Sequence, residues 1–60
     1  MRSFYKIEMF DEMQGFIIYD HKRNESSAET IADVISKSRK CLMRVVYRGY
    51  IIHQYDRRPE

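Results

Sequence analysis

The stretch NESSAETIADVISKSRK, residues 24–40, decides the fold, because its apolar residues recur every three or four positions, as in an amphipathic helix. Ser26 precedes Glu29 by three residues, the spacing of a capping box, in which each side chain bonds the backbone N–H of the other residue. We therefore predict that Ser26 is the N-cap and that a helix covers residues 27–40. Acidic residues precede basic ones along the stretch, which is the order that the helix dipole favours.

The predicted helix has one apolar side and one polar side. The apolar positions are Ala28, Ile31, Ala32 and Ile35, with Val34 at the margin. The polar positions expected to point away from the core are Glu29, Asp33, Ser36, Lys37 and Lys40. A helix of this kind buries its apolar side against another element, and the flanking segments supply a sheet.

Two segments with the two-residue alternation of strands precede the helix. The first is SFYKIEMF, residues 3–10, and the second is FIIYDHKR, residues 16–23. The loop between them ends at Gly15, which tolerates the positive φ that a hairpin loop requires, so we expect the two strands to form one hairpin. The predicted core stripe of the first strand is Tyr5, Ile7 and Met9.

A second hairpin is predicted after the helix. CLMRVVY, residues 41–47, and YIIHQY, residues 50–55, have strand composition, and Arg48 and Gly49 lie between them. Because arginine disfavours a positive φ, we expect a type I turn closed by a glycine bulge instead of a type I′ turn. Residues 58–60 are expected to form a frayed tail.

The predicted fold is therefore a single α+β domain, residues 1–60, with the order ββαββ, in which two antiparallel hairpins form a sheet and one amphipathic helix covers one face. A single helix leaves the other face of a four-stranded sheet uncovered. This bare face is a candidate docking surface, and a homodimer interface or ordinary exposed apolar area are the alternatives. Its expected residues are Phe4, Lys6, Glu8, Phe10, Leu42, Arg44 and Val46.

The length and the cysteine content limit the possible classes of protein. Sixty residues place the core near the lower limit of independent stability, so a partner or homodimerisation is expected to help. The single cysteine excludes an internal disulfide, and one cysteine with two distant histidines predicts neither a metal site nor a cofactor. Neither a signal peptide nor an apolar run of about 20 residues is found, which predicts a cytoplasmic protein.

The two parts of the chain carry opposite charge. Residues 1–36 contain four basic and seven acidic residues, a net charge of −3. Residues 37–58 contain seven basic residues and one acidic residue, a net charge of +6. This asymmetry favours a partner that is itself charged.

RNA is one possible charged partner, and it would use the C-terminal hairpin. Tyrosine rings stack on bases and arginines bind phosphates, and this alternative rests on Tyr47, Tyr50, Tyr55, Arg44, Arg48, Arg57 and Arg58. Strand alternation turns about half of such side chains toward the core, however, and the acidic first part of the chain repels RNA. An RNA-binding module is therefore the second hypothesis.

Catalysis is not predicted. The chain has two glycines and no phosphate-cradling loop, and no serine or cysteine lies near a recognisable activating base. His53 is the one candidate acid–base catalyst, and a packed or hydrogen-bonded role is the commoner one for a histidine on a strand. We expect no catalytic residues.

The closing stretch LMRVVYRGYIIHQYDRR, residues 42–58, resembles the Dmd family, the small antitoxins of T-even phages that block the host RNA-cleaving toxins RnlA and LsoA. The similarity also includes the 60-residue length and the two-hairpin-plus-helix order. Residues identical or similar to those of the family are Leu42, Arg44, Ile51, Asp56 and Arg58. The resemblance implies a non-enzymatic inhibitor that binds a toxin endoribonuclease and occludes its active cleft.

One difference concerns the start of the helix, where the family has a tryptophan and this chain has Thr30 and Ile31. A ribonuclease cleft must be positively charged, so an inhibitor gains from carboxylates placed where phosphates would bind. We expect these charges at the end of the second strand and on the first turns of the helix. The predicted partner-binding residues are Asp20, Glu25, Glu29, Thr30, Ile31 and Asp33; a capped and solvated helix face is the alternative for Glu29.

Overall fold

The computed structural model describes residues 3–59 and contains four strands and one helix. In chain order they are β1 (Tyr5–Asp11), β2 (Gly15–Lys22), α1 (Glu25–Arg39), β3 (Leu42–Tyr47) and β4 (Tyr50–Asp56). The predicted ββαββ order and the α+β class are confirmed. Among the described residues, no helix is both long and apolar enough to cross a membrane.

The four strands form one antiparallel sheet in the order β2-β1-β3-β4. Each hairpin contributes one inner and one outer strand, and the inner strands β1 and β3 pair through Ile7 and Val45. Because β2 and β4 lie at opposite edges, groups on these two strands are separated by the width of the sheet. This separation decides which of the predicted site residues meet.

The core lies between α1 and the two inner strands. Its fully buried residues are Ile7, Met43 and Val45 from the sheet and Ala28 and Ala32 from α1. The alanines carry only a methyl group, so the helix packs closely on the larger side chains of the strands. Partly buried residues around this cluster include Tyr5, Met9, Ile31 and Ile35, as predicted, whereas Val34 is exposed.

The helix begins two residues earlier than predicted. Asn24 has an extended backbone, with φ −115° and ψ 129°, and its Oδ1 accepts a hydrogen bond of 3.2 Å from the N–H of Ser27. Asn24 is therefore the N-cap, and the prediction of Ser26 as cap in a capping box with Glu29 is wrong. An asparagine caps a helix as well as a serine does. Capping at Asn24 extends the N-terminal end of the helix by two residues beyond the predicted start.

The cap gives a direct test of the helix boundary. Asn24→Ala should lower the free energy of unfolding by about 1 kcal/mol, because the N–H of Ser27 loses its acceptor. Ser26→Ala is the matched control and should change stability by much less. Urea unfolding followed by circular dichroism measures both, and a larger loss for Ser26→Ala would contradict the observed boundary.

Ser36 also departs from its predicted place on the polar side of the helix, because it is completely buried. Its hydroxyl donates to the backbone oxygen of Asp33 at 2.7 Å and accepts from Nη1 of Arg57 at 3.2 Å. A small hydroxyl that both donates and accepts a hydrogen bond can be buried at little cost in free energy. The polar side of the helix is consequently narrower than the sequence indicates.

The β3–β4 turn is type I′, contrary to prediction, because both Arg48 (φ 52°) and Gly49 (φ 84°) have a positive φ. A two-residue turn of this type matches the twist of the strands, and that benefit outweighs the strain at arginine. A bulge occurs instead within β4, where Ile52 is skipped between the pairs of Val45 and Val46.

The first hairpin contains a similar irregularity. Gly15 has the positive φ that was predicted, 80°. Within β2, Tyr19 is skipped, since Ile7 pairs with Asp20 and Glu8 pairs with Ile18. Each outer strand therefore contains one bulge, and each bulge changes which side chains face α1.

Candidate functional site

Three of the predicted acidic residues form a row along α1. Glu25, Glu29 and Asp33 are spaced by four residues, which places them on the same side of the helix. Their side chains are 49%, 38% and 36% exposed, respectively. We call these three residues the acidic row. The row lies beside β4, since its partners are His53 on β4 and Arg57 directly after β4.

The first two members of the acidic row share one partner on β4. His53 Nε2 lies 2.8 Å from Oε2 of Glu25 and 3.2 Å from Oε1 of Glu29. Ionised carboxylates only accept hydrogen bonds, so the imidazole proton lies on Nε2, between the two oxygens. Within residues 3–59, this imidazole is the sole ion-pair partner of the two glutamates.

Asp33 differs from the two glutamates, because strong bases compensate its charge. Nη1 of Arg57 donates to its Oδ1 at 3.0 Å, and Nζ of Lys37 lies 3.6 Å from the same oxygen. The hydrogen bond from Arg57 is the main reason that the pKa of Asp33 is below its ordinary value. Within residues 3–59, the members of the row without a lysine or arginine partner are therefore Glu25 and Glu29.

Asp20, a further predicted site residue, does not join the acidic row. It lies on β2, at the opposite edge of the sheet, where its Oδ2 is 3.6 Å from Nζ of Lys22. The sequence places Asp20 only five residues before Glu25, but the chain crosses from the outer strand to the helix in between. The four acidic residues are thus not one cluster.

Thr30 and Ile31 occupy the side of α1 that faces β2. Together with Lys22, they line a shallow surface hollow of about 340 Å³ at the start of the helix. The Thr30 hydroxyl donates to the backbone oxygen of Ser26 at 2.9 Å, and Ile31 is partly buried against the core. Only Thr30 is exposed, so these two residues offer little apolar area for a contact.

The arginines of the C-terminal hairpin are mostly held in ion pairs. Nε of Arg44 lies 2.6 Å from Oε1 of Glu8, and Arg58 donates through Nε and Nη2 to Asp56 at 2.8 Å each. The hydrogen bonds from Arg58 lower the pKa of Asp56 to about 2. Since Arg57 binds Asp33, Arg48 is the one predicted RNA-binding arginine without an acidic partner among residues 3–59.

Two of the three tyrosines predicted to bind RNA have rings that pack against other residues of the chain. Tyr47 stacks on Tyr5 with ring centroids 4.2 Å apart, and Tyr55 packs against the core. Tyr50 is 75% exposed and is the one of the three that presents its ring freely to solvent. A base-stacking platform needs several such rings in succession, and the hairpin offers one.

The bare face of the sheet is organised around the Glu8–Arg44 pair. The Arg44 guanidinium lies 3.5 Å from the centre of the Phe16 ring, and Phe10 contacts that ring edge-on at 5.3 Å. Phe16 was not among the residues predicted for this face, and Leu42, which was, is buried. The arginine therefore covers part of the apolar surface that the sequence predicts to be open.

The pairing of His53 with the acidic row was missed by the sequence prediction. His53 lies 28 residues after Glu25 and 24 after Glu29, so no local spacing connects them. The four-residue spacing of the glutamates is a visible signal of two neighbouring carboxylates, but it does not identify the third group. The chemistry available to the trio is hydrogen bonding to a cationic group or coordination of a metal ion.

Comparison with models of protein families, with curated proteins and with solved structures finds no match to this chain.

Proposed function

We propose that this chain is a small non-enzymatic phage antitoxin, which binds an RnlA- or LsoA-like endoribonuclease toxin in the host cytoplasm and occludes its active cleft. The observation that carries the proposal is the pair of neighbouring carboxylates on Glu25, which is exposed, and Glu29, which is half-buried; their ion-pair partner among residues 3–59 is an imidazole. A cleft that holds RNA phosphates is cationic, so two adjacent carboxylates can occupy the position of the substrate.

The ion pairs of the C-terminal hairpin favour a protein partner over RNA. To bind Arg44, Arg57 or Arg58, phosphates must compete with the carboxylates of Glu8, Asp33 or Asp56, respectively. The counterion release that drives RNA binding comes from basic groups that neutralise phosphate, and these groups already have acidic partners. The RNA-binding module remains the second proposal, with Arg48 and Tyr50 as its available contacts.

We place the proposed contact surface on the first two turns of α1. Glu25 and Glu29 supply the charge, whereas the exposed Thr30 lies on the side of α1 that faces β2. Asp33 is neutralised by its bases, and Asp20 lies at the far edge of the sheet. Both are therefore left out of the proposed contact.

A cleavage assay tests this function. Purified RnlA- or LsoA-like toxin and a fluorescent RNA substrate are incubated with increasing amounts of the chain, and the cleavage rate is followed. We expect inhibition that is complete near a fixed molar ratio and unchanged when excess non-cleavable RNA is added. Inhibition that the excess RNA abolishes, together with direct RNA binding in moderate salt, would instead support the RNA-binding module.

A further inference from the structure

We propose that Glu25, Glu29 and His53 form a binding site for a zinc ion. Each residue offers one ligand atom, and the two carboxylate oxygens and the imidazole nitrogen all lie within 4.8 Å of one another. The glutamates come from α1 and the histidine comes from β4, so the fold assembles the ligand set from two distant parts of the sequence.

The two distances from His53 in this cluster are hydrogen-bond distances, somewhat shorter than the separation of neighbouring ligands around one metal ion. His53 Nε2 is 2.8 Å from Glu25 Oε2 and 3.2 Å from Glu29 Oε1. Zinc binds imidazole nitrogen and carboxylate oxygen at about 2.0–2.2 Å, which separates tetrahedral neighbours by roughly 3.3–3.5 Å. A zinc ion can therefore replace the proton on His53 Nε2 after small movements of the side chains.

The charge of the cluster also suits a divalent cation. Within residues 3–59, His53 is the sole ion-pair partner of Glu25 and of Glu29, so two neighbouring carboxylates repel each other across one imidazole. A divalent ion compensates both charges at once. An imidazole ligand favours zinc over magnesium, which prefers oxygen ligands and retains its water molecules.

Three protein ligands leave one tetrahedral position open for water or for a side chain of a partner. The bound ion would join the first two turns of α1 to the outer strand β4. Because it binds only the folded arrangement of the ligands, it should raise the stability of this small domain. This inference does not rest on the proposed inhibition of a toxin, which uses the two glutamates in their metal-free state, and its test uses the isolated chain.

Titration of the purified chain with zinc chloride, by calorimetry and by thermal unfolding, tests the site. We expect one ion per chain and a Tm that rises with zinc concentration, whereas magnesium chloride at the same concentration should leave the Tm unchanged. His53→Gln and Glu29→Gln should each weaken zinc binding by at least about tenfold, since each removes a ligand. Circular dichroism checks that the variants are folded.

Two matched controls exclude the other zinc-binding side chains. His21→Gln removes the other histidine, on β2, and Cys41→Ser removes the single thiol; both should bind zinc as the wild type does. Should His53→Gln fail to fold, Glu29→Gln decides the result. The proposal is overturned by the absence of saturable binding, by wild-type affinity in a folded Glu29→Gln variant, or by loss of binding in Cys41→Ser.

Discussion

Replacing Ile7 with alanine should leave a substantial fraction of the chain unfolded in water. Ile7 is completely buried on an inner strand and contacts the core formed with α1. Removing a large aliphatic side chain from such a site costs about 2–5 kcal/mol, through lost burial and the cavity left behind. A domain of 60 residues has a total stability of only about 3–9 kcal/mol.

Urea denaturation followed by circular dichroism measures this loss. Ile18→Ala is the matched control, because the same side chain is removed from an exposed position on β2, and little change is expected. Ile7→Val should fall between the two, at about 0.5–1.5 kcal/mol. An unchanged midpoint for Ile7→Ala would mean that the core does not lie between α1 and the inner strands.

The double variant Glu25→Lys/Glu29→Lys should lose the ability to neutralise an RnlA- or LsoA-like toxin. The change replaces two neighbouring carboxylates with cations that would face a cationic cleft, so association should slow by more than about tenfold at low salt. Because salt screens the repulsion, binding should partly recover as ionic strength rises. Growth rescue in a toxin-expressing strain and surface binding kinetics measure the two effects.

Asp20→Lys is the control for charge reversal, because it replaces one carboxylate with a cation at the opposite edge of the sheet, away from the proposed contact. It should neutralise the toxin as the wild type does, and circular dichroism must confirm that each variant is folded. If the folded double variant still neutralises the toxin, the acidic mechanism is wrong. The contact surface would then move to the bare face around Phe4, Phe10 and Arg44.

The element order was predictable because the hydrophobic period changes clearly between the strands and the helix. The predictions of the N-cap and of the turn type were wrong, because at each position two conformations of the chain compete. Asn24 and Ser26 are both good N-caps, and the chain uses the earlier one, with the N–H of Ser27 as its donor. At Arg48, the twist of the hairpin outweighs the local preference of the residue, a tertiary effect that composition does not reveal.

The candidate site was predictable on the helix and not on the sheet. The four-residue spacing of Glu25 and Glu29 puts both side chains on one side of any helix that contains them. Regular pairing from the Arg48–Gly49 turn would instead place His53 opposite Arg44, on the bare face. The bulge at Ile52 shifts the register by one residue and moves His53 to the side of α1, where it meets the glutamates.

The two bulges also bear on how the chain behaves at high concentration. An outer strand with a long regular backbone is a template for strands of other molecules, which leads to edge-to-edge polymerisation and fibrils. Here Tyr19 interrupts β2 and Ile52 interrupts β4, so both open edges are kinked near their middle. A neighbouring molecule can form only a few regular hydrogen bonds on either edge, and the small sheet is thereby protected against growing into a larger one.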